Sequence, residues 1–361
     1  MTKTTRVMLA VLAVCGTSAA MAQSSVNVYG RINTTVEHQK IGADSKSVMN
    51  TNSSYLGFRG TEDLGNGLKA GFQLEGNFSS DDGSGAGGPG TGFDFKRHSE
   101  VNLSGSFGTV RLGKFYVGSY LATADYISMH NHDTGSSSDA LYAYVFPEGN
   151  QISYRSPDFG GVTAEFNYGF GEKGQRAGDS AVGLPGVSLA STPIGTAKVA
   201  GEHKGAFDAA LNYNNGPLGL GLGYTQAKTE AATFDLKEQQ LGLRASYTIN
   251  SLTLGAYYQY YKADADVVDT KRHAYRLAAM YTLGASEFHA NVGRAQSYKG
   301  DLDGSKTSAT QWTLGYNYNL SKRTKVYGYF TKINNGDDAA YGVTNAGDNF
   351  RSIAVGVRHL F

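Results

Sequence analysis

Gln311-Trp312-Thr313-Leu314-Gly315-Tyr316-Asn317-Tyr318-Asn319-Leu320 puts every large apolar or aromatic residue at an even position and every small or polar one at an odd position. A β-strand turns successive side chains to opposite faces, so this run has one apolar face and one wet face. It lasts about ten residues, longer than the five or six of an ordinary strand. About ten tilted residues are what a strand needs to cross a bilayer. The pattern recurs upstream. Phe207, Ala209, Leu211 and Tyr213 alternate with Asp208, Ala210 and Asn212. Leu218, Leu220, Leu222 and Tyr224 alternate with glycines and Thr225, and Leu241, Leu243, Ala245, Tyr247 and Ile249 with Gln240, Gly242, Arg244 and Ser246.

The connections between such runs alternate in length. Short turns rich in Gly, Asn, Asp and Pro fall near residues 63–67, 105–108, 156–161, 214–217, 249–251, 284–286 and 319–324. Between them lie longer polar segments, near 39–52, 79–95, 116–150, 171–204, 227–237, 262–271, 297–305 and 334–349. Seven short and eight long connections imply sixteen strands. Short turns at one end and long loops at the other are the asymmetry of a transmembrane barrel. A soluble sandwich has no reason to gather its long loops at one end, and a propeller requires a shared repeat of about 40 residues that is absent here. The fold class expected is therefore all-β: a sixteen-stranded antiparallel transmembrane β-barrel with short periplasmic turns and long external loops. Its apolar face meets lipid. Its polar face encloses water, because sixteen strands enclose too wide a space for side chains to fill.

Composition agrees. The chain has 48 glycines among 361 residues, about 13% against a usual share near 7%, together with 24 tyrosines and only six prolines. No stretch of 18 consecutive apolar residues follows the N-terminal segment, which excludes helical membrane spans. Residues 1–22 carry Lys3 and Arg6, an apolar run from Val7 to Cys15 and the small-x-small ending Ala20-Met21-Ala22. This is the layout of a cleaved secretory signal peptide. Removing 22 of 361 residues leaves 339, the single barrel domain 23–361, with 30 basic against 31 acidic residues. It also removes Cys15, the one cysteine, and with it disulfides, thiol catalysis and cysteine-ligated metal. Balanced charge gives no footprint for nucleic acid.

Several motifs carry a family resemblance. Ser25-Val26-Asn27-Val28-Tyr29-Gly30, Leu56-Gly57-Phe58-Arg59-Gly60-Thr61-Glu62-Asp63-Leu64-Gly65-Asn66-Gly67, Phe93-Asp94-Phe95-Lys96-Arg97, Ser104-Gly105-Ser106-Phe107-Gly108-Thr109-Val110-Arg111-Leu112-Gly113 and Asn319-Leu320-Ser321-Lys322-Arg323-Thr324 resemble the general-diffusion porins of Gram-negative bacteria, in the β-proteobacterial branch. The resemblance covers essentially the whole mature chain. It implies a homotrimer in the bacterial outer membrane, among outer-membrane lipids and lipopolysaccharide. It also implies a third long loop folded inward as a constriction, and a second loop reaching a neighbouring subunit. The last strand carries Ile353, Val355, Val357, His359 and Phe361 on one face. In outer-membrane barrels a terminal aromatic of this kind is the sorting signal read by the barrel-assembly machinery, a role expected of Phe361.

The expected function is a water-filled channel for passive diffusion of small hydrophilic solutes and ions, without cofactor, metal or catalysis. The third loop, 115–154, has no Lys or Arg but carries Asp125, Asp133, Asp139 and Glu148. The preceding strands carry Arg31, Arg59, Lys69, Lys96, Arg97 and Arg111. Alternation turns Arg31, Arg59, Lys69 and Arg111 inward, whereas Lys96 and Arg97 are adjacent and cannot both point inward unless a bulge intervenes. Arg31, Arg59, Lys96, Arg97 and Arg111 are expected to form a basic wall facing the acidic loop, with a transverse field between them. Two departures from the family leave the sign of selectivity open: Tyr55 stands where several members have a lumen arginine, and Val145-Phe146-Pro147-Glu148 lacks the arginine of strongly anion-selective relatives.

Other readings are weaker. A substrate-specific channel for sugars or anions requires an aromatic track, and Tyr29, Tyr55, Tyr257 and Tyr261 face inward but from distant strands. A barrel enzyme requires a nucleophile and base together, and neither His289 nor His359 has such a context. His130-Asn131-His132-Asp133 sits in a polar loop, and Asp301-Leu302-Asp303-Gly304 is a fragment of a calcium loop.

Overall fold

The computed structural model describes residues 25–86, 90–124, 140–147, 149–171, 184–187, 201–231, 235–265 and 268–361. The expected signal segment lies outside them. The strands are β1 (Ser25–Ile41), β2 (Asp44–Thr51), β3 (Tyr55–Gly65), β4 (Leu68–Asn77), β5 (His98–Gly105), β6 (Gly108–Lys114), β7 (Gln151–Arg155), β8 (Val162–Gly169) and β9 (Gly201–Asn215) in the first half. β10 (Leu218–Ala231), β11 (Asp235–Ile249), β12 (Leu252–Ala265), β13 (Val268–Leu283), β14 (Ser286–Ala295), β15 (Lys299–Gly300), β16 (Ala309–Asn319), β17 (Thr324–Asn335) and β18 (Phe350–Leu360) follow. Among the described residues one short helix, α1 (Gly118–Ala122), lies between β6 and β7.

These eighteen segments make sixteen positions round one closed antiparallel sheet. β2 and β3 share a position, pairing with the upper and lower halves of β1, and the break between them holds Ser53 at φ 52°. β14 and β15 likewise both pair with β13. Closure joins β1 to β18 over Arg31↔Leu360 to Ile41↔Phe350, and Gly30 and Phe361 exchange both backbone hydrogen bonds at 3.1 Å. Since every strand has two neighbours, no edge is left to pair in lipid.

Burial is inverted relative to a water-soluble domain. Val26 is 63% exposed and Leu277 62%, while Asn33 and Gln311 are fully buried. At about 25 cal/mol per Å² of apolar surface, a ring of Val, Leu, Ile, Phe and Tyr on the outside is stable only against hydrocarbon. All seven short turns lie where the spacing places them. In the β3–β4 turn Asn66 and Gly67 both have positive φ (53° and 78°), the twist a two-residue hairpin needs.

The long connections differ from expectation in three places. Residues 39–52, 227–237 and 262–271 are mainly strand: β1 runs on to Ile41 and β2 starts at Asp44, β10 reaches Ala231, and β12 and β13 reach Ala265 and Val268. Above the membrane the outward face turns charged, with Lys228, Glu230, Asp264, Asp269 and Lys271, while the inward face keeps buried residues such as Ala227, Leu236, Ala263 and Val268, so the period-two apolar face is lost and these extensions read as loops.

Candidate functional site

The loop between β6 and β7 enters the lumen and is held there by two sets of contacts. Its first part is α1. Asp208, pointing inward from β9, accepts from the Ser119 N–H at 3.1 Å, and from Thr225 Oγ1 at 2.6 Å; Thr225 in turn meets Ser119 Oγ at 2.8 Å. The inward glycines of β10 make room for the helix. A Cβ on Gly221 would overlap the Ala122 carbonyl, and one on Gly223 would come within 2.7 Å of Ser119 Cα.

Its second part, around residues 141–146, lies extended against β11, β12 and β13. The Gln259 amide serves both backbone groups of Ala143, accepting from its N–H at 2.8 Å and donating to its carbonyl at 2.9 Å. Gln240 accepts from the Val145 N–H at 3.1 Å. Arg272 donates to the Leu141 carbonyl at 2.9 Å and to the Tyr341 hydroxyl at 2.8 Å. Arg276 donates to the Tyr142 hydroxyl at 2.7 Å, to Gln311 Oε1 at 2.8 Å and to Asn291 Oδ1. Leu141, Ala143 and Val145 are buried against the wall, while Tyr144 and Phe146 are half-buried on the other side. The bonds from Arg272 and Arg276 are charge-assisted and contribute about 1.5–3 kcal/mol each, and those with Gln240 and Gln259 about 0.5–1.5, so the wall grips the loop firmly.

About half-way round the ring stand Tyr29 on β1 and Tyr55 on β3. Arg59 lies 4.8 Å from the Tyr29 ring and Arg31 5.1 Å from the Tyr55 ring. Arg97 lies 4.8 Å over Tyr55 and 5.1 Å over Tyr116 at the start of the loop. Arg97 pairs with Glu75, whose other oxygen accepts from the Tyr29 hydroxyl at 2.9 Å. Arg31 donates to the Ser53 carbonyl through Nε and Nη2 at 3.0 and 2.7 Å.

Of the five expected wall cations, Arg31, Arg59 and Arg97 come together. Lys96 does not: its side chain is 82% exposed and pairs with Asp94 at 2.6 Å. Arg97, just ahead of β5, is the one of the adjacent pair that joins the wall. Arg111 points inward but is bound to Glu165, with Glu100 at 3.6 Å and the Phe115 ring at 4.1 Å, so it secures the base of the loop instead. Asp125, Asp133, Asp139 and Glu148 lie outside the described residues, as does the 130–133 histidine pair. Tyr257 and Tyr261 do turn inward, but both are buried and do not line open lumen; Tyr257 packs 4.5 Å from Tyr142 under the loop. His289 is buried inward against Asn317, not beside a nucleophile. Phe361 lies against Gly30, where an added Cβ would meet its ring.

Sequence reasoning missed the loop-holding residues Asp208, Gln240, Gln259, Arg272 and Arg276. It also missed Lys325 and Arg358, which stand directly opposite each other on the lumen face, Lys325 pairing with Glu287 at 3.2 Å. The parity rule could have found them: Arg272 and Arg276 alternate with outward His273, Tyr275 and Leu277, and Arg358 with Val357 and His359.

A closed sixteen-position barrel, apolar outside and polar inside, with a loop folded into its lumen, is a transmembrane channel. The chain belongs to the Gram-negative porin family, which matches it over residues 8–338. Outer membrane porin protein 32 of Delftia acidovorans is 35% identical, covering 99% of this chain and 100% of that protein. Major outer membrane protein P.IB of Neisseria meningitidis serogroup A is 27% identical over 94% of this chain and 95% of that one. Among solved structures, an anion-selective porin from Comamonas acidovorans superposes with a TM-score of 0.74 at 32% identity, covering 94% of this chain and all of that one. The protein is thus a multi-pass outer-membrane porin that passes small hydrophilic solutes by diffusion.

Proposed function

We propose that loop 116–150 narrows this pore against the basic wall of Arg31, Arg59 and Arg97, with Asp125, Asp133, Asp139 and Glu148 supplying the opposite charge, and that the pore favours anions. The gathering of three guanidinium groups on Tyr29 and Tyr55, across the lumen from the anchored loop, carries this reading. Arg59 and Arg358 make no ion pair within 4 Å among the described residues, which leaves positive charge for a passing anion. The anion-selective porin at 32% identity supports the same sign. On this reading the protein is a non-enzymatic homotrimer, cleaved after Ala22, seated among lipopolysaccharide and inserted by the barrel-assembly machinery.

Two unit charges about 8 Å apart interact by roughly 2 kcal/mol at an effective dielectric near 20. That is enough to bias which ion occupies a confined site. Replacing Arg31 and Arg59 with glutamate therefore shifts the reversal potential in a salt gradient toward cations, and Asp125→Lys shifts it toward anions. Asp337→Lys on an external loop does much less at 1 M salt, where screening acts within about 3 Å. An unchanged reversal potential in all three would remove these residues from the constriction.

A further inference from the structure

The aromatic side chains of the lumen form one connected surface that no single strand contains. It begins at the wall, where Arg59 covers Tyr29 and Tyr29 meets Tyr55 edge-on at 6.2 Å. Arg97 then bridges Tyr55 to Tyr116. From there the surface continues along the inward loop. Tyr116 lies 5.6 Å from Tyr120, and Tyr120 lies 5.6 Å from Tyr144 and 5.5 Å from Phe146. Tyr144 and Phe146, two residues apart on the extended strip, hold their rings parallel to within 16°.

This surface is separate from the residues that seal the loop to the wall. The contacts that seal the loop to the wall are made by Leu141, Tyr142, Ala143 and Val145, which are buried. Tyr116, Tyr120, Tyr144 and Phe146 are all half-buried, not sealed against the wall. A pore that only sieves hydrated ions gains nothing from apolar ring surface at its narrowing, because bare rings there raise the barrier for a hydrated ion. A solute with a flat apolar body and one negative charge does gain. Its ring can exchange one aromatic partner for the next, while its carboxylate is met by guanidinium groups that themselves lie on ring faces.

We propose that this strip is a transit site for small aromatic carboxylates, their ring carried by Tyr116, Tyr120, Tyr144 and Phe146 and their carboxylate by Arg59, Arg31 and Arg97. The proposal rests on the reading that the loop narrows the pore against the basic wall. It goes beyond charge selection, because it separates two anions of equal charge and similar size by the presence of a π-face.

The test uses benzoate and cyclohexanecarboxylate, which share charge and ring size but differ in aromaticity. Each is titrated against the chloride current of the purified, folded protein in planar bilayers. An aromatic contact contributes about 0.5–1.5 kcal/mol, so benzoate should half-block at a concentration roughly two- to tenfold below that of cyclohexanecarboxylate. The Tyr144→Leu/Phe146→Leu variant keeps apolar bulk and removes both parallel rings. It should lose the difference while keeping the native reversal potential in a potassium chloride gradient. Equal half-blocking concentrations in the native protein overturn the proposal, and so does a benzoate preference that survives in the variant. Ring-dependent block by neutral maltose, with none by benzoate, also overturns it and makes the strip a sugar track. The chloride reversal potentials of the Arg31→Glu and Arg59→Glu variants report separately on the basic-wall reading, so failure of the aromatic strip and failure of the basic wall are told apart.

Discussion

Arg276 shows what one inward residue does in this lumen. It is buried and joins β13 to β14 through Asn291, to β16 through Gln311 and to the loop through Tyr142. Arg276→Met keeps most of the apolar stem and leaves those three partners short of a donor. Each buried polar group so stranded costs about 1–3 kcal/mol. The variant should lose its folded gel mobility at a lower temperature than the native protein, and its open-channel current should be noisier because the loop is held at fewer points. Arg272 has a different setting, between the rings of Tyr298 and Tyr341, each 5.4 Å away. Burial pushes both of these loop hydroxyls above the usual tyrosine range. An unfolded tyrosine ionises near pH 10, whereas these stay protonated in the native state, so stability is present below pH 10 and falls as pH rises beyond it. Limited proteolysis of the external loops should therefore accelerate above about pH 10, and less so in Tyr298→Phe. Equal acceleration in both would assign the effect to other groups.

At the level of elements, β10 and α1 fit because one supplies glycine where the other supplies backbone. Gly221 and Gly223 form a bare track on the lumen face, and α1 lies on it. Gly223→Val would drive a branched side chain into Ser119 and push the helix toward the basic wall. Single-channel conductance should fall while the barrel still folds, since β10 keeps its ladders to β9 and β11. Native conductance would mean that the loop does not set the pore width. The small outward residues Gly30 and Gly76 have an equally local explanation. Phe361 covers the first, and Phe93 with the Asp94 carbonyl covers the second, so both are occupied by the chain itself.

On the scale of the whole molecule, everything depends on joining β1 to β18, residues more than three hundred positions apart. That seam brings Arg31 and Arg358 onto one inner surface: Asn33 stands opposite Arg358, with Arg31 two residues from Asn33 on the same face. It also sets the Phe361 ring on Gly30 at the periplasmic end, on the lipid side. Phe361→Ser should lower the amount of heat-resistant barrel recovered from the outer membrane, because the seam loses its last apolar contact and, on the proposed reading, the assembly signal with it. Assembled molecules should conduct normally, as the side chain is outside the lumen. Undiminished yield would leave Phe361 without an assembly role.

The strands, their faces, the seven tight turns and the barrel's inside-out polarity were legible in the sequence, because a period of two is a local property and lipid and water demand opposite residues on opposite faces. The inward orientation of Arg31, Arg59 and Arg111 followed from the same parity. Parity gives the face a residue points to, and nothing about what it meets across an aqueous space. That is why Arg111, legible as a lumen cation, proved to be neutralised by Glu165 from β8. Lys96 and Arg97 sit where the strand period has not yet begun, so only the contact with Glu75 separated them. The aromatic surface was invisible for the same reason. Tyr29, Tyr55, Tyr116 and Phe146 are far apart in the chain, and only closure of the barrel, with the loop gripped by Asp208, Gln259, Arg272 and Arg276, sets their rings in one line.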